Sequence, residues 1–479
     1  MTFAELKARL FERSNFGMKL GLERMRAALA LLGEPHRCAP TLHVAGTNGK
    51  GSTCAFAERA LRCAGLKTGL YTSPHLRHYC ERIRVDGEPV SEETAAALLD
   101  EVLQRVPWAL AGGPGGPGDG DGLTFFELTT LLGFLAFARA GVQVMVVEVG
   151  LGGRLDATNV VAPLACAIAP LGLEHQQYLG DTLALIAAEK AGILKPGVPA
   201  VSAGQPREAA AVLESVARSV HAPLWRPGRD YRFESRAERS FCYQSGGAAP
   251  GGGCGTSGWT VRPAALGLLG RHQRANAALA CALLEQAARR GLPVTQEHAE
   301  EGLALARWPG RLERVGGQPL TLLDGAHNPH AARALAEALP DLLASMGRDP
   351  GASPGTAAAA AGPSLQGVLG VLGDKDLVGV LRPLLPLFTA VHLCAPRSPR
   401  ALPALALAAK VRELAPGLLC TVYPSGAEAL AGARAAAGPD GAVLACGSLY
   451  LVGELLDAVE GRAATAMPSE QLRAFPRPR

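Results

Sequence analysis

Between His43 and Thr53 the chain reads HVAGTNGKGST. The segment Gly46-Thr47-Asn48-Gly49-Lys50-Gly51-Ser52 sets three glycines around one lysine, after a β-prone stretch and before a helical pattern. Such a loop turns successive backbone N–H groups toward one point. The helix that follows adds the partial positive charge of its N-terminus. Glycines let an anion reach the backbone without meeting a Cβ. Lys50 would bring a mobile positive charge to the β- and γ-phosphates, and Ser52 or Thr53 a hydroxyl for phosphate or Mg²⁺. The spacing departs from GxxxxGK[ST]: Val44 stands where the first glycine belongs, and Gly51 separates Lys50 from Ser52. Nucleotide binding is the reading, against a Gly-rich turn holding a chance lysine.

Four further residues have types that fit this chemistry. Glu148 ends the apolar run QVMVVEV and precedes Gly150, Gly152 and Gly153. A carboxylate at the carboxyl end of a buried parallel strand points into the crevice where open α/β sheets bind ligands, which suits a Mg²⁺ ligand. The alternative is pairing with a surface arginine. His175, in LEHQ, reads locally as a loop histidine satisfied by its neighbours, because Mg²⁺ prefers oxygen. Ser73, in YTSPHL, reads locally as a helix cap before Pro74. Lys190, in AEKAGI, reads alone as a solvated lysine at a helix end. Held neutral, its amine could instead add CO₂ and become an anionic carbamate; the spacing does not decide between the two.

The elements that position these residues alternate. Thr41 to Ala45 is a strand and Ser52 to Cys63 a helix. Gln143 to Val149 and Leu164 to Ala169 are nearly continuous apolar runs, as expected of parallel strands covered on both faces. Thr182 to Ala191 is helical, with a cap at Asp181. Short strands lie between Leu224 and Val261. Helices follow at His272 to Arg290 and Gln296 to Ala306. A second series of strands runs over Leu320 to Leu323, Gly367 to Leu372, Ala390 to Cys394, Leu418 to Val422 and Ala442 to Ala445. Helices at Pro329 to Leu343 and Ala427 to Ala437 lie among them. Strand–helix alternation predicts parallel sheets with right-handed crossovers, and two such series predict two α/β domains. Pro309 and Gly310 break the chain at Arg307 to Arg311, the predicted join. Three Gly-rich segments, Ala111 to Gly122, Gly246 to Gly258 and Asp349 to Ser364, can bury almost nothing and read as surface insertions.

The 479 residues would fill roughly three domains of average size, or two large ones. Apolar residues make up 48%, enough for large cores and too many for a wholly disordered chain. A net charge of +4 gives no field that argues for nucleic acid or an anionic membrane. The eleven cysteines include no CxxC pair and sit mostly in apolar stretches, among them Cys54, Cys166, Cys281 and Cys446. They read as free thiols of a reducing compartment rather than a disulfide framework or a zinc site. The N-terminus lacks the apolar core of a signal peptide, and no run of about 18 apolar residues occurs. A cytoplasmic location is expected.

Several motifs occur together in one order: HVAGTNGKGST, YTSPHL with Glu81-Arg82-Ile83, TFFE at Thr124 to Glu127, EVGLGGRLDATN, EKAGI, RHQRANA, PGRLE, LDGAHNP, GDKD and GSLYLVGE. In this the chain resembles the folylpolyglutamate synthase/dihydrofolate synthase branch of the Mur ligase family, from about Leu20 to Leu456 apart from the Gly-rich insertions. The unusual glycine spacing is that family's form of the phosphate loop. The resemblance implies an α/β, two-domain Mur-ligase-like fold. Residues 1–306 would form an N-terminal P-loop ATPase domain with a mainly parallel sheet and a pterin pocket. Residues 307–311 would be a linker, 312–460 a smaller Rossmann-like glutamate-ligase domain, and 461–479 a frayed tail.

It also implies ATP-dependent amide ligation through an acyl phosphate. L-glutamate would be added to 7,8-dihydropteroate and to the γ-carboxylate of reduced folates. The alternatives are a polyglutamylating enzyme alone, a nucleotide-binding regulatory protein without ligase activity, and a kinase acting on a small carboxylate. By resemblance Ser73, Glu148 and His175 are Mg²⁺ ligands, against the local readings of Ser73 and His175. Lys190 is a carbamylated lysine that helps position a second Mg²⁺ or acidic charge. Asn276, Arg311 and Asp324 join Gly46 to Ser52 in holding ATP, and His327 lies beside Asp324 as a catalytic group with Lys50 and Lys190. Thr124, Phe125, Phe126 and Glu127, with Leu155, Asp156 and Ala157, form the pterin side. For the phenylalanine pair, core packing is the competing reading. Because Arg311 and Asp324 lie beyond the join, domain closure would complete the site. The implied partners are ATP, L-glutamate and a pterin, with no nucleic acid and no membrane, for a monomer.

Overall fold

The computed structural model describes residues 2–14, 21–110, 122–235, 239–246, 258–345 and 364–462. The three Gly-rich insertions fall almost wholly outside the described residues, as does the tail beyond Arg462.

The first sheet has eight strands: β1 (Thr41–Ala45), β2 (Thr68–Tyr71), β3 (Ile83–Val85), β4 (Glu88–Pro89), β5 (Val144–Glu148), β6 (Ala165–Ile168), β7 (Ala200–Ser202) and β8 (Leu224–Trp225). Their order is β4-β3-β2-β5-β1-β6-β7-β8. Six strands run parallel, and β3 and β4 add an antiparallel edge. Strands β1 and β5 are buried along their whole length. Side chains alternate across a strand. Val144 and Val146 therefore enter one core, under the helices Lys50–Cys63, Arg271–Arg289 and Gln296–Leu305. Met145 and Val147 enter the other, under the helix Phe125–Ala140. Cutting Met145 back to alanine would cost about 2–5 kcal/mol. The register sets Val44 beside Glu148 and Ala45 beside Ile168. The glycine loop, Glu148 and the loop after β6 thus all lie at the carboxyl ends of adjacent central strands.

A small antiparallel sheet follows, of β9 (Tyr231–Glu234), β10 (Cys242–Ser245) and β11 (Thr260–Val261). The third sheet comprises β12 (Glu313–Gly317), β13 (Leu320–Leu323), β14 (Leu365–Leu369), β15 (Ala390–Leu393), β16 (Leu419–Val422) and β17 (Ala442–Cys446). Its order is β12-β13-β17-β14-β15-β16, parallel except for β12. Two mostly parallel sheets with interleaved helices agree with the fold expected. The short antiparallel strands β3, β4 and β12 were not anticipated. Arg77 joins the two parts of the chain, 2.6 Å from Glu460 and 3.6 Å from Asp457.

Three local expectations need correction. The helix after the glycine loop starts at Lys50, not Ser52, with Gly49 at its N-cap. The cap of the helix Leu183–Ala191 is Thr182, whose hydroxyl accepts from the Leu185 amide, rather than Asp181. No helix starts at Pro74, so Ser73 caps none. Among the described residues, no helix is long and apolar enough to cross a membrane. The ten described cysteines are all free, and Cys54, Cys166, Cys281 and Cys446 are buried.

Candidate active site

The glycine loop passes from the buried end of β1 into the helix Lys50–Cys63. Gly49 turns the chain at φ 82°, and a Cβ there would stand 2.2 Å from Oδ1 of Asn276. Gly51 lies against the Trp308 indole, where a Cβ would come within 2.8 Å of Nε1. The two positions explain the glycines: one needs left-handed backbone and both need close approach. The loop does not direct every amide at a ligand, as the sequence suggested. The amides of Thr47 and Asn48 both donate to the Pro170 carbonyl at 3.1 Å. The Thr47 hydroxyl donates to the carbonyl of Gly172 at 3.1 Å. The amides left for an anion are those of the helix's first turn, at Lys50, Gly51 and Ser52, which have no intrahelical acceptor. Ser52 and Thr53 are buried, and Thr53 Oγ1 has no hydrogen-bond partner.

Lys50 folds back over this turn. Its Nζ donates to the Thr47 carbonyl at 3.2 Å and stands 3.9 Å from Oε1 of Glu148. The other Glu148 oxygen accepts from the Ser73 amide at 3.3 Å. Burial pushes the Glu148 carboxyl upward, and Lys50, the Ser73 amide and Arg311 offset this only in part. Lys190 is no solvated lysine: it is buried, and its Nζ donates to the Gly46 carbonyl at 2.8 Å. Burial, then the nearby charge of Lys50, brings its ammonium down to about 7.

The third sheet delivers the loop that follows β13. Asp324 follows β13; its carboxylate accepts from the amides of Leu312 (2.9 Å) and Ala326 (2.8 Å), binding its own domain's loops together. Arg311 lies beside Gly325 and acts electrostatically on Glu148. Asn276, one turn into its helix, receives no hydrogen bond from the loop, and its amide donates to Gln273 at 2.9 Å.

Sequence reasoning named Asn48 as part of the phosphate loop but missed Glu174, Asn328 and His330, which join the halves with it. The amides of Asn48 and Asn328 exchange hydrogen bonds of 3.3 and 3.0 Å, and Asn48 Nδ2 also meets His330 Nδ1 at 2.9 Å. Glu174 accepts from Asn328 at 3.2 Å and lies 3.5 Å from His327 Nε2 and 4.0 Å from His175 Nε2. Although burial opposes it, His327, His175 and Lys375 hold the Glu174 carboxyl well below the usual range. His175 has left-handed backbone, φ 52°, and burial lowers its imidazole to about 4.

The residues expected on the pterin side divide. Thr124 and Glu127 cap the helix Phe125–Ala140 reciprocally, and Arg24 pairs with Glu127 at 3.0 Å. Phe125 is core, edge-on to Tyr79 and beneath the Arg82 guanidinium at 5.3 Å. Phe126 is half-buried, edge-on to Tyr71 and against Gly150. Asp156 is buried and accepts from the amides of Leu151 and Thr158 at 2.8 and 3.0 Å, while Ala157 begins the short 3₁₀ turn it caps. Leu155 beside it is half-buried.

A model of the Mur ligase glutamate ligase domain matches residues 310–449. The dihydrofolate synthase/folylpolyglutamate synthase of Escherichia coli is 34% identical over 445 residues, 92% of this chain and 92% of that protein. The chain belongs to this ligase family. The structure of E. coli FolC in complex with DHPP and ADP superposes with a TM-score of 0.79 at 31% identity, covering 96% of this chain and 98% of that one. A protein of Halobacterium salinarum, named probable bifunctional folylpolyglutamate synthase/dihydropteroate synthase, is 35% identical over 457 residues. That match takes in 95% of this chain, which spans about half (51%) of the length of the haloarchaeal relative.

For a member of this ligase family, the donors here suit Mg²⁺ in a particular way. The hydroxyl residue Ser73 and the buried carboxylate of Glu148 are neighbours, with Lys50 as the nearest cation to Glu148. Two hard oxygen donors fit an ion that keeps waters and takes phosphate oxygens. Among the described residues no three His, Cys, Asp or Glu side chains gather as a metal cage. His175 lies beside Glu174 instead.

Proposed function

We propose that this chain ligates L-glutamate to 7,8-dihydropteroate and to the γ-carboxylate of reduced folates, using ATP. The observation that carries the reading is the Asn48–Asn328 pair, which brings the phosphate loop and the second domain's LDGAHNP loop into one cleft. A kinase would need no such second loop, and a regulatory protein no buried Glu148 and Lys190.

In this mechanism the amides at Lys50 to Ser52 and the Lys50 ammonium hold the triphosphate. They offset the repulsion between it and an incoming carboxylate. An oxygen of that carboxylate attacks the γ-phosphorus, the bond to the β–γ bridging oxygen breaks, and ADP leaves. The amine of L-glutamate attacks the carbonyl carbon, phosphate departs with the original carboxylate oxygen, and the amine releases a proton. Ser73, Glu148 and His175 would hold Mg²⁺, which would supply charge neutralisation on the phosphates when bound. Lys190, as its carbamate, adds negative charge beside Gly46. Asn276, Arg311 and Asp324 serve the nucleotide, and His327 the glutamate step. Thr124 to Glu127 and Leu155 to Ala157 line the pterin side, with Phe126 the ring that remains accessible. Residues 1–306 act as the ATP-binding unit, 307–311 as the linker and 312–460 as the glutamate-ligase domain. The protein works as a cytoplasmic monomer, a setting that suits its free cysteines.

Dihydropteroate labelled with ¹⁸O in its carboxylate tests the chemistry. Released phosphate carrying one ¹⁸O supports an acyl phosphate; unlabelled phosphate rejects it.

A further inference from the structure

We propose that Glu174 is the positioning residue that fixes His327 over the phosphate loop. The proposal rests on the ligase reading above. Glu174 lies on the first domain, in the loop between β6 and the short helix Gln176–Leu179. It touches two consecutive residues of the other domain through one oxygen. Oε1 accepts from Asn328 Nδ2 at 3.2 Å and stands 3.5 Å from His327 Nε2. The opposite edge of that ring is held by its own backbone, with Nδ1 2.7 Å from the Gly325 carbonyl. The imidazole thus faces an oxygen at both nitrogens, one within its loop and one across the domain boundary, and its protonated form donates toward both.

Asn328 extends the same anchor. Its Nδ2 is shared between Glu174 and Asn48, and its Oδ1 accepts from the Ala331 amide at 2.8 Å at the start of the helix Pro329–Ser345. One carboxylate therefore sets where the second domain's loop sits relative to Asn48 and Lys50. The Glu174 side chain is only 14% exposed, so water replaces this contact poorly. Hydrogen bonds to a charged group at such a site exceed neutral ones in strength. Glu174 makes no contact with the glycine loop's amides in this arrangement, but its Oε1 also stands 4.0 Å from His175 Nε2. An effect routed through His327 and Asn328 disappears in the His327→Ala background, whereas one routed through His175 persists there.

The test is a mutant cycle read by glutamate-dependent phosphate release. Glu174→Gln keeps an acceptor for Asn328 and removes the charge facing His327. It should lower kcat about ten- to a hundredfold while the ATP dissociation constant stays within about threefold. Glu174→Asp should recover part of kcat. The Glu174→Gln/His327→Ala double variant should be no slower than His327→Ala, because the two residues act as one unit. Wild-type kcat in Glu174→Gln, or losses that multiply in the double variant, would overturn the proposal. If Glu174→Gln does not melt as a folded protein, the cycle is run with Glu174→Asp. A loss that vanishes in the His327→Ala background then supports the proposal, and one that persists overturns it. A wild-type chain whose phosphate release ignores glutamate would instead reject the ligase reading, and the positioning role with it.

Discussion

Lys190 donates a 2.8 Å hydrogen bond to the carbonyl of Gly46, so a buried amine and the first glycine of the phosphate loop form one unit. Its ammonium titrates at about 7 in the folded chain, whereas an unfolded lysine titrates near about 10.4. Between those values the unfolded chain binds more protons, so this residue makes stability rise with pH across that window and fall as pH drops toward 7. Above about 7 the amine is mostly neutral and can take up CO₂. With ¹³C-bicarbonate, a carbamate resonance should grow from pH 6 to pH 8 and be absent in Lys190→Ala. That variant should lose most ligation and still bind ATP. Unchanged turnover would remove the carbamate from the mechanism.

Gly49→Ala should weaken nucleotide binding at least about tenfold. The substitution costs about 1–2 kcal/mol for left-handed backbone, and its Cβ displaces the Asn276 amide 2.2 Å away. Calorimetric titration with ADP measures this; an unaltered dissociation constant would contradict the loop geometry described here.

The strands and helix around the glycine loop were legible in the sequence because their signals are local: continuous apolar runs and glycines in fixed places. Of the site's other half, Arg311, Asp324 and His327 were named only through the family resemblance, and the contacts that seat that half on the first were not legible. Glu174 and Asn328 are 154 positions apart, and each is an ordinary polar residue until two loops meet. Lys190 looked solvated because its helix gives no sign that the glycine loop covers its end. Asp181 and Thr182 are both good caps, and only the backbone direction selects the second. Strands β3, β4 and β12 are short or glycine-rich and pair only as antiparallel edges, which leaves no periodic trace.

Lys50→Ala should lower turnover by about a hundredfold or more, since a positioned charge on the transferring phosphate is removed. It also strips Glu148 of its nearest cation at 3.9 Å. Glu148→Gln added to Lys50→Ala should therefore recover melting temperature, though not activity. A double variant less stable than Lys50→Ala would show that the pair is not coupled.

His43, inside β1, is buried and makes one hydrogen bond, Nε2 to Thr158 Oγ1 at 2.9 Å. Burial lowers its imidazole from 6.5 to about 3. The folded chain keeps this ring neutral while the unfolded chain protonates it, so stability should fall as pH drops from about 6.5 toward 3. Urea melts at pH 7 and pH 5 should show a smaller loss in His43→Gln than in the wild type. Equal losses would mean that the ring gains a proton without unfolding.

The central claim is that one cleft activates a carboxylate with ATP and passes it to glutamate. Phosphate release from ATP, measured with dihydropteroate or tetrahydrofolate in the presence and absence of L-glutamate, tests it most directly. The account predicts turnover with both acceptors, strongly raised by glutamate. Turnover with tetrahydrofolate alone would restrict the protein to polyglutamylation, and release indifferent to glutamate with either acceptor would contradict ligation.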